Sequence, residues 1–376
     1  CAPRPSGHVY RVGSEILSIL FNGKIPDKKK MIRLGYIRSG DKKLEFIIDP
    51  DIMMRHAEVI GRTGSGKSYL IGLLMERLRE KNILQVNFDA FGEYEDAVNE
   101  LGGVNIRPGK DFSPPLWTLT VDQFAFLIDD LGLTELQSRI ALEAFRIYKI
   151  KRGDLNVFFE AVSEVANKMR ALPETRENTI SRLRVLLDSL GIAGNSDPEN
   201  LAKLLNEKKL VNIIFTGLGT LQRDFTVASI LTLLKEFREK KLVKRAVLVS
   251  IDEAHLYVPS GSRKTLSKEV VMNMLRYGRH YGIALVLVTQ LPSSMDEEAV
   301  EMPALKIVFS ISYDQLRGIR FALSDLPDDI LHTISKMEVG RAIITGTRDL
   351  IRYSAIIEVD SNRKTRHGAP TPSFFD

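Results

Sequence analysis

The chain has 376 residues, 44% of them hydrophobic and 27% charged, with a formal net charge of +5. That length holds one large or two modest domains with a real core, and no run of 18 apolar residues is present to span a bilayer. The single cysteine excludes an intramolecular disulfide framework or a cysteine metal cluster. With no apolar leader after Cys1, this predicts a cytoplasmic setting.

In chain order, residues 1–30 read as an exposed lead-in. Two strand-like runs follow over 32–38 and 44–49, separated by the turn signal Ser39-Gly40-Asp41. A short strand over 57–60 runs into a glycine-rich loop. Leu70, Leu73, Leu74 and Leu78 then predict a helix over 69–81, followed by a buried strand over 83–88 that ends in Asp89. Strand, loop, helix, strand begins a parallel α/β sheet. From about 121 to 191 the spacing becomes helical throughout, with breaks at Gly132, Gly153 and Pro173, and predicts a helical insertion. Continuous apolar runs over 210–215, 246–251, 284–289, 306–310 and 341–345 predict further strands buried on both faces. Helices are predicted between them over 227–239 and 267–277. The polar, basic tail after Asp360 carries Arg363, Lys364, Arg366, Pro370 and Pro372, and is expected to be extended.

Gly61-Arg62-Thr63-Gly64-Ser65-Gly66-Lys67-Ser68 matches the phosphate-binding pattern G-x-x-x-x-G-K-S. Glycines let backbone N–H groups converge on phosphate oxygens, because no Cβ blocks the approach. Lys67 would reach the outer phosphates, Ser68 would ligate Mg²⁺, and the following helix would aim its positive N-terminus at the anion. The expected nucleotide-binding set is Arg62, Thr63, Gly64, Ser65, Gly66, Lys67, Ser68 and Tyr69, joined by Arg55 just before the loop's strand. ATP and Mg²⁺ are the expected cofactors.

A hydrolytic P-loop also needs an acid for the metal and a group that orients water. The apolar run ending in Ile251 lifts Asp252 and Glu253 to the carboxyl edge of the sheet, where ligands bind. Asp252 is the expected Mg²⁺ partner and Glu253 the expected general base. Gln290, ending another apolar run, is the candidate γ-phosphate sensor. Arg279, in Arg276-Tyr277-Gly278-Arg279-His280, is the candidate finger supplied across a subunit interface, with Arg276 as its competitor. Arg55 could reach a neighbour's nucleotide in the same way. The catalytic set is thus Glu253, Lys67, Gln290 and Arg279.

The P-loop, Asp89-Ala90-Phe91-Gly92-Glu93-Tyr94, Ile251-Asp252-Glu253-Ala254-His255 and the segment from Gly278 to Gln290 occur in the order of the HerA group in the HerA/FtsK superfamily. Over residues 30–360 the chain resembles that group. The resemblance implies an α/β fold with a RecA-like P-loop core, a mainly parallel sheet and a helical-bundle insertion. It implies core segments at 51–118 and 205–360, an insertion at 119–204, a C-terminal tail at 361–376, and a remnant of a β-barrel domain within 1–50. It further implies an ATP-hydrolysing, hexameric motor on double-stranded DNA, working in archaea with a NurA-type nuclease in end resection, with no membrane partner. The chain departs from the usual pattern at Phe91, Leu291 and Arg341.

A ring motor grips phosphates with cations in its pore. Arg263 and Lys264, and the run from Lys149 to Arg152, are the candidates. Two alternatives stand beside this reading. One is a related viral DNA-packaging or conjugative ATPase. The other is a nucleotide-regulated interaction protein, against which the missing Asn-Lys-x-Asp guanine motif counts.

Overall fold

Continuous apolar strands need cover on both faces, and the chain supplies it by alternating strands with helices. The computed structural model describes residues 29–366, apart from 40–41, 193–196, 325, 327, 348–350 and 352. The lead-in before 29 and the prolines at 370 and 372 therefore lie outside the described residues. The strands are β1 (Ile32–Ser39), β2 (Lys42–Ile48), β3 (Ala57–Ile60), β4 (Leu84–Asp89), β5 (Val104–Ile106), β6 (Leu210–Ile214), β7 (Val247–Ile251), β8 (Ile283–Thr289), β9 (Leu305–Phe309), β10 (Arg341–Gly346) and β11 (Ala355–Val359). They form one sheet in the order β2-β1-β11-β10-β9-β3-β8-β7-β4-β6-β5. The stretch from β9 to β5 is parallel. β10, β11, β1 and β2 extend it with antiparallel pairings.

The helices before β8 are α1 (Lys67–Glu80), α2 (Glu95–Glu100), α3 (Val121–Asp129), α4 (Glu135–Lys151), α5 (Leu155–Lys168), α6 (Pro173–Ser189), α7 (Pro198–Lys208), α8 (Thr220–Glu239) and α9 (Leu266–Tyr281), and short ones follow at Glu297–Glu301, Tyr313–Gly318 and Asp328–Ile334. One sheet face packs α1 through Leu70, Leu73 and Leu74 against Val59, Val286 and Ile307. The opposite face packs Ile60, Val249 and Leu285 against α8 and α9, and this core runs on into the helices of the insertion. Those helices start where the sequence stops them cleanly. Thr120 with Gln123, and Thr134 with Gln137, form reciprocal capping boxes for α3 and α4. Phe124 stacks on Phe145 at 4.2 Å and meets Phe158 edge-on at 5.8 Å, which ties three of the helices together.

The strand order fixes the functional edge. β8 lies between β3 and β7, and all three run parallel. Their carboxyl ends therefore deliver Gly61, Gln290 and Asp252 side by side.

Candidate functional site

The P-loop hangs from its neighbours before it meets any phosphate. Gly61 N–H donates to the Thr289 carbonyl (3.2 Å) and Arg62 N–H to the Ser310 carbonyl (2.8 Å), at the ends of β8 and β9. Gly340 N–H, at the start of β10, donates to the Ser65 carbonyl (3.1 Å). Gly64 and Gly66 have φ of +74° and +117°, conformations that glycine reaches without a Cβ penalty. Gly66 is the N-cap of α1, so the helix begins at Lys67 with its orphan N–H groups turned to the loop. Lys67 is buried. Its ammonium donates to the Arg62 carbonyl (3.2 Å), and the Ser65 hydroxyl donates to the same oxygen (2.7 Å). A phosphate is a stronger partner than a carbonyl for that ammonium, so the loop suits an anion.

Acids surround the lysine. Burial pushes Asp252 up to about 8, and Glu253, Asp89 and Glu93 add to the shift. Burial lowers the Lys67 pKa, while Glu253, Asp252 and Glu93 pull it back. Three acidic groups facing one ammonium, with Asp89 behind Asp252, create a demand for further positive charge. Among the described residues no three His, Cys, Asp or Glu side chains are placed to hold a metal alone. Magnesium would not require such a cluster, since it keeps waters and takes one or two protein oxygens plus substrate phosphates. Ser68 and Asp252 are the groups that could provide such oxygens.

Asp89 explains the Asp89–Tyr94 motif. Its carboxylate accepts from the N–H groups of Gly92 (2.8 Å), Glu93 (3.0 Å) and Tyr94 (3.1 Å), and from Asn212 (3.2 Å). The loop is thereby folded so that Glu93 faces the P-loop lysine. The place of Glu93 beside the lysine is not apparent from the Asp89–Tyr94 motif alone.

Gln290 does join the two halves of the site. Its Nε2 donates to Glu253 Oε1 (3.1 Å), and its Oε1 accepts from the Thr63 hydroxyl. A cavity of about 440 Å³ opens beside this link, lined by Arg62, Thr63, Gln290, Leu291 and Ser312 among others. Glu253 has φ of +49°, a left-handed conformation that costs a non-glycine residue about 1 kcal/mol or more and collects at functional sites. His255, which no sequence motif role predicts, stands 3.3 Å from Glu253 Oε2.

The arginines lie elsewhere. Arg279 is exposed in the last turn of α9, and Gly282 caps that helix directly before β8 begins. Arg55 directly precedes His56 and β3. A Cβ on Gly278 would stand 3.3 Å from His56, so both arginines belong to the amino edge of the parallel strands. A seven-residue strand at about 3.3 Å per residue puts that edge roughly 20 Å from the P-loop. Neither arginine reaches the phosphate site of its own chain. Arg276, the competitor, is engaged by Glu298 in a two-pronged surface pair (2.5 and 2.9 Å). Of the pore candidates, the Lys149 ammonium is committed to the Trp117 and Leu119 carbonyls. Arg152 pairs with Glu236 and lies over the Trp117 ring. Lys151 lies 3.6 Å from Glu164. Arg263 and Lys264 are exposed in the loop before α9.

Residues 32–234 match the family described as the central domain of the helicase HerA. The chain belongs to the HerA helicase family. It is accordingly a nucleotide-binding ATPase. A relative from Sulfurisphaera tokodaii, named DNA double-strand break repair helicase HerA, is 29% identical over 356 residues, covering 88% of this chain and 69% of the relative. VirB4 of Thermoanaerobacter pseudethanolicus superposes with a TM-score of 0.63 at 17% identity, over 88% of this chain and 96% of VirB4. The bacterial conjugative coupling protein TrwBdeltaN70 does so with 0.56 at 13% identity, over 96% and 97%. At these identities the two structures establish the shared fold of the HerA-family chain and nothing finer. Among its described residues no helix is long and apolar enough to cross a membrane.

Proposed function

We propose that this HerA-family ATPase is a ring-forming motor that translocates double-stranded DNA in the processing of DNA ends. The observation that carries the reading is the split of the chemistry between two edges. The P-loop, Asp252, Glu253 and Gln290 share one edge, while Arg55 and Arg279 stand at the other. Hydrolysis needs both sets, so the arginines serve a neighbouring subunit, most simply in a closed ring such as a hexamer. The name of the Sulfurisphaera relative supports DNA as the partner and break repair as the setting. A partnership with a NurA-type nuclease and a cytoplasmic location belong to the same proposal.

The residues divide the work as follows. Lys67 and the N–H groups of residues 62–69, glycines and Tyr69 included, bind the triphosphate. Mg²⁺, held by Ser68 and Asp252, would neutralise charge on the phosphates. Glu253 takes the proton of the attacking water, Gln290 senses the γ-phosphate, and Arg279 and Arg55 stabilise the transition state from the next subunit. Arg263 and Lys264 supply phosphate contacts in the pore. Residues 51–118 and 205–360 form the motor core, with 119–204 inserted into it. A packaging or conjugative motor would use the same site, and the fold likeness to VirB4 and TrwBdeltaN70 fits that second reading.

The test is ATP turnover with and without linear duplex DNA, in wild type and Glu253→Gln. DNA should stimulate wild type, and the variant should lose about 10²- to 10⁴-fold in kcat while still binding nucleotide. A wild type without turnover, or with turnover indifferent to DNA, would sink the motor reading.

A further inference from the structure

Glu253 is held from one side only. Gln290 donates to Oε1, but Oε2 is buried and makes no hydrogen bond. The group facing Oε2 is the His255 ring, with Nδ1 at 3.3 Å. The same Nδ1 lies 3.2 Å from the Thr289 hydroxyl oxygen, which also accepts from Leu291 N–H (3.0 Å). An unprotonated Nδ1 would set its lone pair against a carboxylate oxygen. With Glu253 ionised, a proton on Nδ1 is the arrangement that avoids this clash, with the Glu253 and Thr289 oxygens as its two acceptors. Burial keeps the ring neutral by lowering its pKa, so it acts as a donor rather than as a counter-charge.

Thr289 and Gln290 are consecutive residues at the end of β8, the strand between the P-loop strand and the acid-bearing strand. Gln290 reaches Glu253 and Thr63, and Thr289 reaches His255. One strand end thus touches both side chains that flank the carboxylate, Gln290 directly and His255 through Thr289.

We infer that His255 is a positioning residue for Glu253, and that the two form a latch with Thr63, Gln290 and Thr289 that reports phosphate binding to the base. A triphosphate at the P-loop draws Thr63 and Gln290 toward its γ-phosphate, and Glu253 loses the Gln290 bond. His255 Nδ1–H then closes on Oε2 and fixes the carboxylate toward water. Bonds that are long in the free enzyme tighten in this way when the reacting complex forms. The proton stays on Nδ1 throughout, and no group is consumed.

The inference rests on Glu253 being the base, and the test separates the two. Steady-state ATP turnover is measured for the whole chain as wild type, Glu253→Gln, His255→Ala and His255→Asn. The Asn amide places an N–H donor near the position of Nδ1. His255→Ala should lower kcat about 10- to 100-fold, since loss of aim at the reacting atom costs on that order. KM and the affinity for a non-hydrolysable ATP analogue should stay within about twofold, because only an interaction made in the transition state is removed. His255→Asn should recover most of kcat. If Glu253→Gln keeps turnover, the base assignment fails and the latch with it. If Glu253→Gln is inactive but His255→Ala turns over normally, the latch alone fails. If His255→Asn restores thermal stability without restoring kcat, the histidine is structural and the inference is overturned.

Discussion

His56 turns the chain into the P-loop strand with φ of +64°, and its ring is buried against α9. Nδ1 accepts the N–H of Leu285 in the middle of the sheet (2.9 Å), a bond that requires a neutral ring. Burial lowers the pKa to about 4, against the pull of the Leu275 carbonyl. The unfolded chain therefore takes up a proton near pH 6.5 that the folded chain refuses until about pH 4. Stability is full above the upper value and falls across that window, by on the order of 3 kcal/mol for this group. Asp252 acts with the opposite sign. Its raised pKa disfavours the folded state as pH rises from the usual carboxylate range to about 8. The imidazole is isolated by comparison with His56→Asn, which keeps an acceptor and tolerates positive φ but does not titrate. Urea unfolding of the two proteins at pH 7 and pH 4.5 should show wild type losing more stability on acidification. Equal losses would remove His56 from the account.

Among the elements, the P-loop helix is gripped from behind by the chain that follows β11. Tyr69 donates to the Asp360 carbonyl, and Arg77 to the Asp360 carboxylate and the Asn362 carbonyl, each at 3.2 Å. Lys364 and Thr365 N–H groups donate to the buried Glu76 carboxylate (2.8 and 3.2 Å). Arg363 lies over the Tyr69 ring at 5.5 Å and fills the space where a side chain on Gly72 would go. Glycine in mid-helix ordinarily costs about 0.5–1 kcal/mol relative to alanine, so its presence here is explained by the arginine. Gly72→Ala should destabilise the wild type. In an Arg363→Ala background the same change should stabilise by about 0.5–1 kcal/mol, the helix propensity alone. A thermal unfolding cycle reads this as coupling between the two sites, and additive effects would dismiss it.

The elements also show what the sequence could reveal. Strands buried on both faces leave continuous apolar runs, and β4, β6, β7, β8, β9 and β10 were expected within a residue or so of where they lie. β5 has three residues at the sheet edge, and β11 alternates buried with exposed positions, so neither leaves such a run. The turn signal at Gly40 and Asp41 falls outside the described residues. Helix α9 continues four residues beyond the expected end at 277, because Gly282 rather than Gly278 stops it. Gly278 is instead small so that α9 can pass the Ile283 carbonyl. The place of Asp252 and Glu253 at the carboxyl edge is legible because they follow an apolar strand. That of His255 and Glu93 is not, since their meaning depends on β8 lying between β3 and β7 and on Asp89 folding its loop, and neither is a local property of the chain.

At the scale of the whole molecule, the parallel sheet has two unlike edges, with the P-loop, Asp252 and Glu253 on one and Arg55 and Arg279 on the other. A single copy cannot bring them together across roughly 20 Å of strand. Stacking copies head to tail around a ring can, and it makes every interface a composite of two subunits. The consequence is tested by mixing two dead proteins. Lys67→Ala subunits lack a working P-loop but carry Arg279, and Arg279→Ala subunits carry the P-loop but lack the finger. Each alone should hydrolyse ATP at least about 10³-fold more slowly than wild type, as expected for a removed phosphate-binding lysine or arginine finger. In rings assembled from equal amounts of both, a P-loop from the second kind meets an Arg279 from the first at about a quarter of the interfaces, given heterologous contacts and random order. Turnover per subunit should rise toward that fraction of wild type. If the mixture hydrolyses no faster than its components while native mass spectrometry shows mixed rings, Arg279 does not act across the interface, and the edge-to-edge arrangement loses its chemical basis.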